Sequence, residues 1–286
     1  MRKSKKGRKR PVTPPGRRAA DPRLQQAVAA MNGKNFPAAA SILNQVLQDS
    51  PHNVDAHNLL GVAAMEMGQA GPAVEHLKKA VHADPKNAFY VFNLGNAQLR
   101  AKAFDDASVS FKKAVKLKPD LVAAYSLRGD ALRSLERHAD ARAAYEQAIA
   151  LQDNLPQAHH GLGLVLLQLG DHEGAAARFA HALSQLPPGA SPLRATAFAN
   201  LGLSLVQAGK HAEAIEQLLS AVDMAPDNAQ FRQALVGALR NVKTVAHSQR
   251  LKPVLLGLLE SEDVNPRSLS TAVQACIREQ SGVTQM

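Results

Sequence analysis

The chain has 286 residues, 45% of them hydrophobic and 4% aromatic with no tryptophan, so it can bury a sizeable apolar surface that contains few rings. Its single cysteine, Cys276, excludes an intramolecular disulfide and gives no sign of an oxidising compartment. No apolar run approaches the ~20 residues of a membrane span and the basic start lacks the apolar stretch of a secretory signal, so a cytoplasmic location is expected.

The formal net charge of +10 sits almost wholly in residues 1–18, which leaves 25 basic against 24 acidic residues elsewhere. Residues 1–19 are therefore read as a separate basic tail. Arg2, Lys3, Lys5, Lys6, Arg8, Lys9 and Arg10 form its densest part, and Pro11, Pro14, Pro15 and Gly16 leave no apolar periodicity, so the segment is expected to be disordered. Such a run can contact nucleic acid or an anionic surface through phosphates. It carries no sequence specificity and no aromatics for base stacking. The competing reading is a solubilising or transport-receptor segment.

From residue 20 to 241 one stride governs the chain. Leu60-Gly61, Leu94-Gly95, Arg128-Gly129 and Leu162-Gly163 recur every 34 residues, and Leu201-Gly202 follows after a lengthened step. Ala73, Ala107, Ala141, Ala175 and Ala214 form one column in this phase, and Ala80, Ala114, Ala148, Ala182 and Ala221 form another. Leu77, Phe111, Tyr145, Phe179 and Leu218 stand between them. Small residues let two helices approach and the bulky column fills the remaining space. Pro51, Pro85, Pro119, Pro187 and Pro226 follow the second helices, where a residue without an N–H stops continuation. Asp153 takes that place once.

These columns resemble the tetratricopeptide repeat (TPR) family. The resemblance implies an all-α fold, a right-handed TPR superhelix or α-solenoid of about six repeats plus C-terminal capping helices. Five clear repeats start near Val54, Ala88, Val122, Pro156 and Ala195, with a weaker one near Ala20 and a half repeat near Ala229. A helical hairpin of this kind cannot bury its apolar face alone and must stack on its neighbours.

In a TPR array the first helices line a concave face, and the resemblance places there Asn58, Val62, Met65, Phe89, Phe92, Asn93, Asn96 and Arg100, followed by Asp130, Arg133, His160 and Asn200. Phe89 and Phe92, one turn apart beside Asn93 and Asn96, are the expected anchor for a peptide or helical segment of another protein. The fifth repeat position reads Asn58, Phe92, Ser126 and His160, with no lysine, so clamping of a chaperone tail carboxylate is not expected. Asparagine at the sixth position, which forms a ladder in arrays attached to O-linked GlcNAc transferases, occurs at Asn93 and Asn200 alone. His159 and His160 invite a metal reading, but His159 falls in the core column and no cysteine or carboxylate cluster is evident in the sequence to complete a site. No metal and no cofactor are expected.

Dinucleotide, phosphate-loop, metalloprotease and nucleophile-elbow signatures are absent, so no enzyme is expected in this chain. Ser191-Pro192 reads as an N-cap with proline at the first helical position, which starts the sixth first helix one turn early. Beyond Asn241, residues 242–286 carry Leu251, Val254, Leu255, Leu258 and Leu259 at helical spacing, and Asn265-Pro266 opens a further helix with Leu269, Val273, Cys276 and Ile277. This part is read as a cap, and it also resembles the connector that follows TPR arrays in chains continuing into methyltransferase or glycosyltransferase domains. The expected function is a non-catalytic adaptor. The alternatives are the recognition module of a divided methyltransferase or glycosyltransferase, and an RNA-associated protein acting through its tail.

Overall fold

The computed structural model describes residues 21–189, 191–240 and 248–260 together with residue 273. Within these residues there are 14 α-helices and no strand. They belong to two compact units, Met1–Ala103 and Phe104–Met286. The first unit holds α1 (Pro22–Asn32), α2 (Phe36–Asp49), α3 (Val54–Glu66), α4 (Ala70–Ala83) and α5 (Ala88–Arg100). The second holds α6 (Phe104–Leu117), α7 (Val122–Ser134), α8 (His138–Leu151), α9 (Pro156–Gln168), α10 (His172–Gln185), α11 (Pro192–Gln207), α12 (His211–Met224), α13 (Ala229–Leu239) and α14 (Ser248–Glu260). The basic tail lies outside the described residues, as does all of the last expected helix except Val273.

The helix ends follow from local chemistry. Asn53 and Asn87 cap α3 and α5, their side-chain oxygens accepting from Ala56 N at 2.9 Å and Phe89 N at 3.0 Å, which satisfies N–H groups that have no partner inside the helix. The sixth first helix, α11, does begin early: Ser191 Oγ accepts from Arg194 N and Pro192 opens the helix. Arg194 then donates from Nη1 to Leu183 O and Leu186 O, 3.2 Å each, and fastens the lengthened connection to the end of α10.

The first helices end through a residue in the left-handed region, at Lys34 (φ 57°), Gly68 (75°), Lys102 (59°), Glu136 (58°), Gly170 (79°) and Gly209 (77°). At Gly68 the backbone N–H returns to Met65 O at 3.0 Å and the next N–H, of Gln69, to Ala64 O at 2.9 Å, which closes off the helix carbonyls. Glycine adopts this φ without the clash that a Cβ brings. Lys34→Gly and Glu136→Gly should therefore each raise stability by about 0.5–1 kcal/mol. Thermal melting checks this, and a fall in Tm for both would contradict the turn geometry.

Packing explains the stride. A Cβ added to Gly61 would sit 2.5 Å from Leu77 Cγ, one added to Gly129 2.7 Å from Tyr145 Cε1, one added to Gly163 2.8 Å from Phe179, and one added to Gly202 2.5 Å from Leu218 Cγ. The glycine column thus exists because the bulky residue of the same hairpin lies against its backbone. Leu77, Tyr145, Phe179 and Leu218 are completely buried, and both alanine columns are sealed with them. Burial contributes roughly 1.5–3 kcal/mol for each large apolar side chain. In the second unit, Leu251, Leu255 and Leu258 of α14 join the apolar cluster formed by α11, α12 and α13.

Candidate functional site

Successive first helices touch one another within each unit, α1 with α3 and α3 with α5 in the first, α7 with α9, α9 with α11 and α11 with α13 in the second. Their side chains on this shared face form rungs. Each rung of the first unit spans α3 and α5 and joins residues 34 or 35 apart. Asn93 Nδ2 donates to Asn58 Oδ1 at 2.9 Å, Tyr90 Oη to Asp55 Oδ1 at 2.5 Å, and Arg100 donates to Glu66 Oε1 and Met65 O at 3.0 Å each. Asn200 Nδ2 repeats the Asn93 bond in the second unit, lying 3.1 Å from His160 Nε2, so both sixth-position asparagines reach back to the fifth position of the preceding repeat.

Phe89 is the most open ring of this face, with 54% of its surface exposed, and Phe92 is half-buried a turn away. Asn58, Asn93 and Asn96 are half-buried beside them. The Asn93–Asn58 bond uses one amide hydrogen and one oxygen lone pair, so the two amides still have donor and acceptor capacity of the kind a peptide backbone requires. Val62 lies partly buried against the core. Met65 corrects the sequence reading. It is 3% exposed and packs with Leu77, Leu94 and Ala97, because an unbranched apolar side chain at the flank of the face turns into the gap between α3 and α5 rather than into water. Tyr90 is a rung residue that the sequence reading missed, since its position had no assigned role.

In the second unit Asp130, Arg133, His160 and Asn200 are all half-buried. Tyr145, buried in the α7–α8 hairpin, donates its hydroxyl to Asp130 Oδ1 at 2.6 Å. Burial raises the Asp130 carboxyl above its ordinary range, against the lowering effects of that hydrogen bond and of Arg133. Burial and the Asp130 charge raise the Tyr145 hydroxyl in turn. His160 packs edge-on to Phe179 at 5.3 Å between ring centroids, and burial followed by the Arg133 charge lowers its pKa.

Two further histidine groups lie away from this face. In the first unit His57 Nε2 is 2.9 Å from Pro51 O and its Nδ1 is 3.0 Å from His76 Nδ1. A carbonyl only accepts, so His57 carries its proton on Nε2 and His76 donates to the bare Nδ1. In the second unit the structure brings Asp153 and His181 to His159, with ligand-type atoms all within 4.8 Å of one another. No carboxylate at His159 is expected from the sequence, because residues 153, 159 and 181 match no spaced motif.

Burial is the leading cause that lowers the pKa of His57, His76, His159 and His160. The unfolded chain then binds more protons than the folded one as pH drops below the ordinary histidine value of 6.5. The stability these neutral rings confer is complete above pH 6.5 and is lost as pH falls through their lowered values. Asp130 acts in the opposite sense, as one group against four. Tm should fall between pH 7.5 and 5.5, and less so in His160→Gln. A Tm that rises on acidification would contradict this.

Family models described as tetratricopeptide repeat match residues 30–90, 63–122 and 154–227, and one described as TPR repeat matches residues 129–170. No curated protein matches the chain by sequence. Among solved structures, MamA is similar at 27% identity over 56% of this chain and 93% of that one, with a TM-score of 0.53. PilF of Pseudomonas aeruginosa shares 18% identity over 74% of this chain and 94% of its own, with a TM-score of 0.63. YrrB, a TPR protein with an unusual peptide-binding site, shares 22% identity over 68% of this chain and 98% of its own, with a TM-score of 0.57. The last two likenesses concern the fold. Among the described residues no helix is long and apolar enough to cross a membrane.

Proposed function

Because the chain belongs to the tetratricopeptide repeat family of protein-interaction scaffolds, we propose that it is a non-catalytic adaptor that holds an extended or helical segment of a partner protein against the first helices of its first unit. The observation that carries this reading is Phe89, an aromatic ring more than half exposed on the rung face beside the Asn58–Asn93 amide pair. An exposed ring gains by burial, while amides keep an extended ligand in register. The likeness to YrrB, which has a peptide-binding site, is in keeping with it. Phe92 and Arg100 complete the contact surface, and Asp130, Arg133, His160 and Asn200 extend the same kind of face along the second unit.

Affinity capture tests the proposal with three chains: intact, Phe89→Ala/Phe92→Ala, and one lacking residues 1–18. A partner retained by the tail-less chain and lost from the double variant binds the rung face. If every captured partner depends on residues 1–18 and none on the two rings, the basic tail and its phosphate contacts are the working part and the adaptor reading fails.

A further inference from the structure

The repeat that runs through α9 and α10 departs from its neighbours at positions that converge. Asp153 stands where the chain elsewhere has Pro51, Pro85 and Pro119. Gln185 stands where α4, α6, α8 and α12 carry Ala83, Leu117, Leu151 and Met224, and α2 carries Asp49. Asp153 lies against His159, which is fully buried, Gln185 reaches the Asp153 carbonyl, and His181 of α10 joins them with 41% of its side chain exposed. His159 Nε2 lies 3.3 Å from Asp153 Oδ1, and His181 Nε2 lies 3.2 Å from Asp153 Oδ2.

One of these contacts belongs to the fold. His159 Nε2 is 3.0 Å from Asp153 O, and His57, at the same repeat position, makes that bond to Pro51 O. The remainder is particular to this repeat and is not satisfied by hydrogen bonds alone. Gln185 Nε2 donates to Asp153 O at 2.9 Å and also lies 2.9 Å from His181 Nε2. With a proton on Nε2, His181 confronts the hydrogens of that amide. Without one, its lone pair confronts the Asp153 carboxylate. Turning the amide over moves the conflict to the Asp153 carbonyl, and Gln185 Oε1 is already buried with no hydrogen-bond partner. A cation between the imidazole and the carboxylate relieves the contact between their lone pairs, since both present them to it.

We propose that Asp153, His159 and His181 form a binding site for a borderline divalent cation, zinc foremost. Two imidazole nitrogens and a carboxylate oxygen are donors that suit zinc better than calcium or magnesium. A tetrahedral ion at roughly 2.0–2.1 Å from its ligands sets them about 3.3–3.4 Å apart, close to the two separations found here. The exposed side of Asp153 and His181 leaves a fourth position for water. Binding moves the His159 proton from Nε2 to Nδ1, which is buried without an acceptor, so the site is weaker than a cysteine-rich structural one and tightens the α8–α9 loop onto α10 without being required for folding.

Zinc titration of the intact chain by calorimetry and equilibrium dialysis tests the site. One equivalent is expected to bind at micromolar concentrations and to raise Tm, with the rise reversed by a chelator. His181→Ala and Asp153→Asn, both at accessible side chains, should each weaken uptake by about tenfold or more and retain the circular dichroism of the parent. His76→Ala, which removes the unrelated histidine pair, should leave uptake unchanged. Cobalt(II) should give visible bands of a four-coordinate nitrogen and oxygen site in the intact chain and not in His181→Ala. Absence of uptake, or uptake indifferent to His181→Ala, overturns the proposal and leaves the cluster as a hydrogen-bonded clasp.

Discussion

Phe179→Ala is expected to destabilise the second unit by about 3–5 kcal/mol, the usual cost of deleting a buried ring when the surroundings cannot fully collapse. The ring is fully buried and touches the backbone of α9 at Gly163 on one side and the edge of His160 on another. Gly163→Ala should cost about 1–3 kcal/mol by the opposite route, since its Cβ would meet three ring carbons at 2.8–3.0 Å and force the ring off its position. The two effects are coupled. Combining Gly163→Ala with Phe179→Leu should therefore cost less than the sum of the single changes. Lys113→Ala, at an exposed position on α6, should shift Tm by less than either. Hydrogen exchange in α9 and α10 reads the local effect even where a repeat array does not unfold in two states. Strict additivity of the pair would show that ring and glycine do not pack together in solution.

That contact was legible before any coordinates because it is periodic. A glycine 16 residues before a large apolar residue, repeated at Gly61, Gly129, Gly163 and Gly202, leaves helix-on-helix packing as its simple physical reading. Periodic signals also placed the starts of α3, α5, α7 and α9. What was not legible is what breaks the period or depends on side-chain direction. The left-handed residue that ends each first helix also recurs in phase, but Lys34, Lys102 and Glu136 hide it behind residues that are common on any helix surface. Met65 satisfies the rung pattern by number and fails it by orientation, since a flanking position can turn either way and an apolar side chain gains by turning inward. The grouping of Asp153, His159, His181 and Gln185 lies in one loop and two helices, and its members become neighbours only when α10 folds back on α9.

Phe89→Ala together with Phe92→Ala should weaken binding of a captured partner segment about 30-fold, or roughly 2 kcal/mol, while helical content is retained. The asymmetry between the rings makes the expectation specific. Phe89 is 54% exposed, so its single variant should lower Tm less than Phe92→Ala does and still lose most of the affinity. Phe92 is half-buried, so its loss should lower Tm as well as affinity. Asn93→Ala removes the donor to Asn58 Oδ1 and leaves that amide to swing freely, which should raise the dissociation rate more than it lowers the association rate, because register rather than encounter is disturbed. Calorimetry for the affinity and stopped-flow for the rates separate these effects. A Phe89→Ala chain that binds its partner as tightly as the parent would remove the ring from the contact, and the partner would then have to be sought on the Asp130–His160 wall of the second unit.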